Sequence, residues 1–422
     1  MKTGSGKVPA VCREAGDMKV LFTASIMGHL TNFHVPYMQY FKDKGFDVHI
    51  ACGSGSPPPC ADRHYEISFE RSPFKPKNLA CYRSLKRIID DNAYDVIHCH
   101  TPVVGVLTRL AARAARKKGT VVIYTAHGFH FYQGAPRVSA TLFRVVEKWL
   151  SRYTDILITI NSEDYSAAAR YELAPALGTY KVPGVGVDVT RFLPQTAESK
   201  EMSRMRNGIS LDAFVLIFAG EYSRDKNQTM LLKTVSMLKD SIPQILLLLP
   251  GRGPMQSELE LAAVSMGITD NVWLMGYRTD MDKLLCTADV AVSSSVREGL
   301  GINLVEAMAT SLPVVATRIR GHVDLITDGE NGFLVEPRNA REMAARLLEL
   351  YRSPQLRSDM GGRALDMVKP YLLKSAKTET CRIYDSVTEH LTQPAHANSD
   401  SNTNNEKQLR HKAVWSDGET IE

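Results

Sequence analysis

The chain has 422 residues, 44% of them hydrophobic and 23% charged, an ordinary globular composition that excludes wholesale disorder. Its formal net charge of +5 is too small to mark a nucleic-acid binder. The longest apolar runs, such as 245–249, fall far short of the roughly 20 residues a membrane-spanning helix needs.

Short apolar runs alternate with helical periodicity along the chain. Residues 1–17 read as a disordered leader, or as an over-extended start before Met18. The pattern predicts a strand at 19–23, a helix at 32–44 closed by Gly45, and a strand at 46–52. A helix at 78–92, a strand at 95–98, a helix at 103–118 and a strand at 121–124 follow. Next come a helix at 138–152, a strand at 155–159 and a helix after Ser162. Periodicity stops in the Gly- and Pro-bearing segment PGVGVD at 183–188, which places a linker near 183–195. The grammar then restarts. Strands are expected at 215–219, 245–249, 272–274, 290–293 and 314–316, with helices at 227–239, 255–266, 302–310, 340–351 and 356–367. This is βαβ order, hence parallel, doubly wound sheets. The expected division is 18–190 and 191–370 as two Rossmann-like domains, a helix at 371–392 crossing back to the first, and a disordered tail at 393–422, in which Trp415 stands alone. Two such units face each other across a cleft at the carboxyl ends of their strands.

The seven cysteines are odd in number and form no CxxC pair, which argues against a disulfide framework or zinc site and fits a reducing cytoplasm. Lys2 and Lys7 have no apolar stretch behind them, so no secretory signal is expected.

The most informative stretch is REGLGINLVEAMA at 297–309. Gly299 and Gly301 permit a tight turn out of the preceding strand, and a helix opening near Ile302 offers free amides to an anion. Glu298 before that helix and Glu306 within it could accept hydrogen bonds from sugar hydroxyls. Alternatively they complement the helix dipole. With seven residues between these glutamates, followed by AMATSLPVV at 307–315 and DLITDGENGFLV at 324–335, the chain resembles the family-4 retaining glycosyltransferases of the GT-B fold over roughly residues 18–390.

The resemblance implies that Glu298 is held near the donor sugar, that Glu306 binds the nucleotide ribose, and that the amides of Leu300 and Gly301 face the donor. In FAGEYSRDKNQ at 218–228, Arg224 and Lys226 are placed to neutralise a diphosphate leaving group. Many family members carry Arg where this chain has Glu221, so one expected cation is replaced. The loop Gly276 to Asp280 is implied to line the base pocket, with Arg278 near uracil or ribose. Asp280 and Asp282 form a DxD pair at a helix start, where capping explains them better than a metal. In the first half, Gly28 is implied to approach the donor phosphate, with the helix start around Thr31 and Asn32 as a second candidate. His127 is implied to hydrogen-bond the transferred sugar. His98 and His100 share a strand face, but no third metal ligand is evident, so a strand end lining the cleft is the better reading. Asp164 reads as a helix-start acid.

The string IYTAHGFHF at 123–131, with 183–188, resembles a bacterial capsule and exopolysaccharide subgroup. That implies a UDP-sugar donor, a polyprenyl-diphosphate-linked saccharide acceptor, and work at the inner face of the plasma membrane. No cofactor, metal or nucleic-acid partner is expected. Residues 71–118 hold eleven basic and three acidic side chains. The helix at 103–118, with Arg109, Arg113, Arg116 and Lys117 opposite Leu107, Leu110, Ala111 and Ala114, either lies on anionic lipid or packs on the sheet with a solvated basic face. Two other functions remain open: a nucleotide-sugar epimerase on the same scaffold, and a silent sugar-nucleotide-binding protein, for which Glu221 speaks.

Overall fold

The computed structural model describes residues 18–392 except positions 71 and 74. The expected leader and tail, with Cys12 and Trp415, lie outside the described residues. The first sheet contains β1 (Lys19–Thr23), β2 (Asp47–Cys52), β3 (Arg63–Glu66), β4 (Val96–His100), β5 (Val121–Ala126), β6 (Ile156–Thr159) and β7 (Gly178–Lys181). The second contains β8 (Phe214–Ile217), β9 (Ile245–Leu249), β10 (Val272–Leu274), β11 (Val290–Ser293), β12 (Val314–Thr317) and β13 (Gly332–Val335). The spatial orders are β3-β2-β1-β4-β5-β6-β7 and β10-β9-β8-β11-β12-β13, and every pairing is parallel. Helices cover both faces of such sheets, so the inner strands are buried throughout. β9, with the sequence ILLLL, exposes no residue.

The expected helix at 32–44 is two helices, Met27–Phe33 and Val35–Asp43, broken at His34. Pro36 lacks an amide hydrogen and its ring opposes the carbonyl four residues back, which ends the first helix. The free helix start therefore lies at Met27 and Gly28, and Thr31 is internal, its hydroxyl donating to the Met27 carbonyl at 3.3 Å. The helix at 103–118 is likewise split, into Pro102–Ala111 and Arg113–Arg116. Edge strands β3 and β7, with sequences RHYE and GTYK, lack the apolar run that marks a strand.

The connecting segment after β7 runs through Val187, whose amide and carbonyl bond Tyr371 and Leu373. The last helix, Leu373–Thr392, lies against the first sheet's half. Tyr384 Oη meets His98 Nδ1 at 3.0 Å, and Tyr40 Oη donates to Asp385 at 2.6 Å. Among the described residues no helix is long and apolar enough to cross a membrane.

Candidate active site

Strand order reverses between β1 and β4 in the first sheet and between β8 and β11 in the second. The crevice beyond the carboxyl ends at such a point is where ligands lie in open parallel sheets. The segments leaving those strands carry most of the charged and histidine side chains singled out above.

In the second half, Lys226 Nζ donates to Glu298 Oε1 at 2.5 Å, and Ser295 Oγ donates to the same oxygen at 2.8 Å. Burial pushes the Glu298 carboxyl up, but Lys226, His322 and the Lys226 and Ser295 hydrogen bonds together outweigh it and hold it below its ordinary range. The loop after β8 is laced to the loop after β11: Ser294 Oγ donates to the Lys226 carbonyl at 2.9 Å and the Val296 amide to the Asp225 carbonyl at 2.8 Å. Arg224 is exposed in that loop. Glu221 is exposed too, and its carbonyl accepts from Gln228 at 2.8 Å.

The helix Ile302–Ala309 opens at Gly301, whose φ of 99° lies in the left-handed region. A Cβ there would meet the His322 ring at 3.2 Å. In its first turn the Leu304 amide donates to the Gly301 carbonyl at 2.9 Å. Leu300 is buried and packs on Gly184 of the connecting segment. Glu306 stands half-buried on the second turn, with no hydrogen bond to its carboxylate among the described residues. Burial raises its carboxyl to about 7, partly offset by Arg191. Arg191, which the sequence reading passed over, reaches from the connecting segment to the Thr279 carbonyl at 3.4 Å and to Asp282 at 3.9 Å. It thereby relates the loop bearing Arg278 to Glu306. Arg278 itself forms a two-pronged pair with Asp280 at 2.7 and 2.8 Å and reaches Asn207 at 3.3 Å.

In the first half, Gly28 sits in the first turn of its helix, and a Cβ there would meet Asn32 at 3.9 Å. His127 Nε2 faces His100 Nδ1 at 3.3 Å, and burial holds the His127 ring well below the ordinary histidine range. The two halves touch here. A Cβ on Gly299 would fall 2.0 Å from the His127 carbonyl oxygen, so only glycine fits. Gly128, at φ 139°, faces Arg320 and Gly299 in the same way.

Arg320 is a second residue that sequence reasoning missed. Its guanidinium donates to the Glu298 carbonyl at 2.9 Å, the Phe129 carbonyl at 2.8 Å and Asp164 at 2.9 Å. Both side chains of the ion pair are buried, 3% and 1% exposed. Asn161 Nδ2 donates to the Gly299 carbonyl at 2.9 Å beside it. Asp164 is therefore more than a helix-start acid: it closes a buried ion pair between the halves, 156 residues apart in sequence. An arginine one residue before Gly321, just past a buried strand, was the only available signal.

Three further expectations are corrected. Asp280 occupies the cap position of Met281–Leu285 but makes no side-chain cap bond, because Arg278 takes both carboxylate oxygens. His100 does have further imidazoles around it, namely His29, His34 and His127, while His98 bonds Thr125 and Tyr384 instead. Arg109 does not join a solvated basic face. It is 1% exposed, pairs with Glu147 at 2.7 and 3.1 Å, and lies over the Tyr124 ring. Arg116 is tied to Asp155 at 2.7 Å.

Comparison with known proteins agrees with this architecture. Residues 19–161 match the family model "Glycosyl transferase 4-like" and residues 199–367 match "Glycosyl transferases group 1". A protein of Bacillus subtilis (strain 168), named "Putative glycosyltransferase EpsD", is 44% identical over 81% of this chain and 90% of its own length. The chain belongs to the family-4-like glycosyltransferases of the GT-B fold. A further relative of this glycosyltransferase, from Escherichia coli, is 26% identical over 62% of the chain and 67% of its own length, and is named UDP-Gal:alpha-D-GlcNAc-diphosphoundecaprenol alpha-1,3-galactosyltransferase. Among solved structures, Anabaena Alr3699/HepE in complex with UDP and glucose is similar at a TM-score of 0.71 and 19% identity, covering 87% of this chain and all of that one. WaaG, a glycosyltransferase involved in lipopolysaccharide biosynthesis, is similar at 0.70 and 19%, covering 86% and 99%.

Proposed function

We propose that this glycosyltransferase moves a sugar from a UDP-sugar, with retention at the anomeric carbon, to a polyprenyl-diphosphate-linked saccharide during exopolysaccharide synthesis. The observation that carries the reading is the meeting of the Lys226–Glu298 pair with the His127 loop across the Gly299 contact. A cation and a carboxylate from one half there adjoin the loop that carries His127 in the other. The names of the galactosyltransferase relative and of the UDP-bound neighbour support the choice of donor and acceptor class.

In this reading Glu306 accepts hydrogen bonds from the ribose hydroxyls, and Arg278 lies toward the base, held through its pair with Asp280. Lys226, Arg224 and the free amides at Leu300 and Gly301 neutralise the diphosphate, with the Gly28 amide opposite. Glu298 and His127 orient the transferred sugar. The acceptor hydroxyl attacks the anomeric carbon on the face that UDP leaves. The carbon–oxygen bond to the β-phosphate breaks as the new one forms, and the hydroxyl proton passes to the departing phosphate oxygen. Charge stabilisation of that phosphate lowers the barrier without a protein nucleophile.

Membrane contact is assigned to the helix Arg137–Ser151 rather than to 103–118. Its residues Val138, Leu142, Val145 and Trp149 are 86%, 52%, 58% and 40% exposed and recur at helical spacing, forming one apolar stripe. Beside it runs a groove lined by Tyr132, Arg137, Arg144 and Arg170, basic enough for a lipid diphosphate.

The test is a thermal-shift screen of UDP, GDP and ADP sugars, followed by transfer to a polyprenyl-diphosphate-linked monosaccharide and NMR assignment of the product anomer. Stabilisation by a UDP-sugar alone and a product that keeps the donor configuration support the reading. An inverted product, or stabilisation by GDP- or ADP-sugars only, overturns it.

A further inference from the structure

Four histidines from three separate chain segments converge at the switch point of the first sheet. His29 lies in the helix Met27–Phe33 and His34 at its end. His100 ends β4, and His127 follows β5. One ring nitrogen from each lies within 4.8 Å of the other three. The rings are packed face and edge: His34 stacks on His100 with centroids 3.8 Å apart, and His29 meets His127 edge-on at 4.7 Å.

As a hydrogen-bonded core this cluster is poor. A neutral imidazole has one N–H and one lone pair. Two contacts are made, His29 Nε2 to His34 Nε2 at 3.2 Å and His127 Nε2 to His100 Nδ1 at 3.3 Å. His34 Nδ1 and His100 Nε2 are buried with no hydrogen-bond partner among the described residues. Each such atom forfeits the hydrogen bond it would make to water, and no exchange of tautomers removes both. His34 and His100 are 2% and 0% exposed, so bulk solvent does not reach them.

As a donor set the cluster is good. Ligands at 2.0–2.1 Å around a tetrahedral ion stand about 3.3–3.4 Å from one another, close to the His29 Nε2–His34 Nε2 and His100 Nδ1–His127 Nε2 separations already present, so these four nitrogens, and not the two unpartnered ones, are the donor set. Drawing the remaining pairs to that spacing requires movement of about 1 Å, and His29 and His127, the less buried pair, have the room to make it. The group contains imidazole only, which suits zinc, cobalt, nickel and copper and disfavours magnesium and calcium.

We propose that His29, His34, His100 and His127 form a binding site for one divalent transition-metal ion of the zinc class. Burial also keeps all four rings in the neutral, lone-pair-bearing form that coordination needs. Four protein ligands fill a tetrahedron, so the ion's role is structural. It ties the β1 helix, the end of β4 and the β5 loop into one rigid wall of the crevice. The site shares His127 with the sugar contact proposed above: one ring nitrogen would bind the ion and the other would remain for the sugar, and the metal content that tests the site is read without turnover.

The experiment uses the full chain without an affinity tag, stripped with a chelator, incubated separately with zinc, cobalt and magnesium chlorides, desalted, and analysed for metal by mass spectrometry. The expected result is about one zinc or cobalt per chain and no magnesium. Cobalt loading produces the visible ligand-field bands of a tetrahedral nitrogen site, and zinc raises Tm. His29→Ala and His127→Ala, each checked for folding by circular dichroism, are expected to weaken zinc binding at least about tenfold. Wild-type protein that retains less than about 0.2 zinc per chain overturns the proposal. So does full retention in both variants, which would place the ion elsewhere.

Discussion

Glu306 offers the sharpest test, because its burial, its unpartnered carboxylate and its proposed ligand all bear on one proton. A rise from the ordinary 4.5 to about 7 corresponds to about 3 kcal/mol against the ionised form in the folded state. Partial contact with solvent reduces this to about 2 kcal/mol. The sign follows from linkage. Below pH about 4.5 the carboxyl is protonated folded and unfolded, and no penalty exists. As pH rises toward 7 the unfolded chain ionises first, and stability is lost until the folded group has ionised too. Glu306→Gln removes the ionisable group, so it is expected to match wild type at pH 4.5 and to exceed it by about 2 kcal/mol at pH 8. Urea unfolding at both pH values measures this through Cm at constant m. UDP adds a second readout. Ribose hydroxyls donate to the carboxylate and favour its ionised form, so UDP affinity, measured by titration calorimetry, is expected to rise about tenfold between pH 6 and 8 in wild type. The rise is expected to vanish in Glu306→Gln. A variant no more stable than wild type at pH 8, or an unchanged pH dependence of UDP binding in it, would refute the reasoning.

Three other outcomes are expected. Arg320→Met leaves Asp164 buried without its counter-charge, so guanidinium unfolding should show a loss of about 3–5 kcal/mol; a loss below about 1 would mean that the pair is not buried in solution. Lys226→Ala removes the cation beside Glu298 and the leaving phosphate, and kcat/KM should fall at least about a hundredfold, with near-normal turnover counting against its role. Replacing Leu142 and Val145 with Asp should abolish flotation with anionic liposomes while leaving donor hydrolysis in solution intact; undiminished flotation would move the membrane contact off this helix.

Much of the fold was legible because parallel strands buried on both faces must be written as continuous apolar runs. For β9, β10 and β11 the expected bounds coincide with the observed ones. Edge strands β3 and β7 were not, since a strand covered on one side has no need of such a run. The charged loops after β8 and β11 were found because chemistry-bearing residues cluster locally there. Arg109 was misread for the opposite reason. Nothing beside it in sequence announces Glu147, 38 residues away, and an unpaired arginine is rightly assigned to the surface.

What the sequence determined by itself is therefore local: the βα alternation, the two-unit division, and the residue types delivered to each strand's carboxyl end. The tertiary structure decided which distant groups share a site. It brought Arg320 from one half onto Asp164 of the other, and gathered His29, His34, His100 and His127 into one cluster. The reason is physical. Secondary structure follows from hydrophobic periodicity over a few residues, whereas ion pairing and imidazole clustering depend on distances set only once two sheets have been wound and closed on each other.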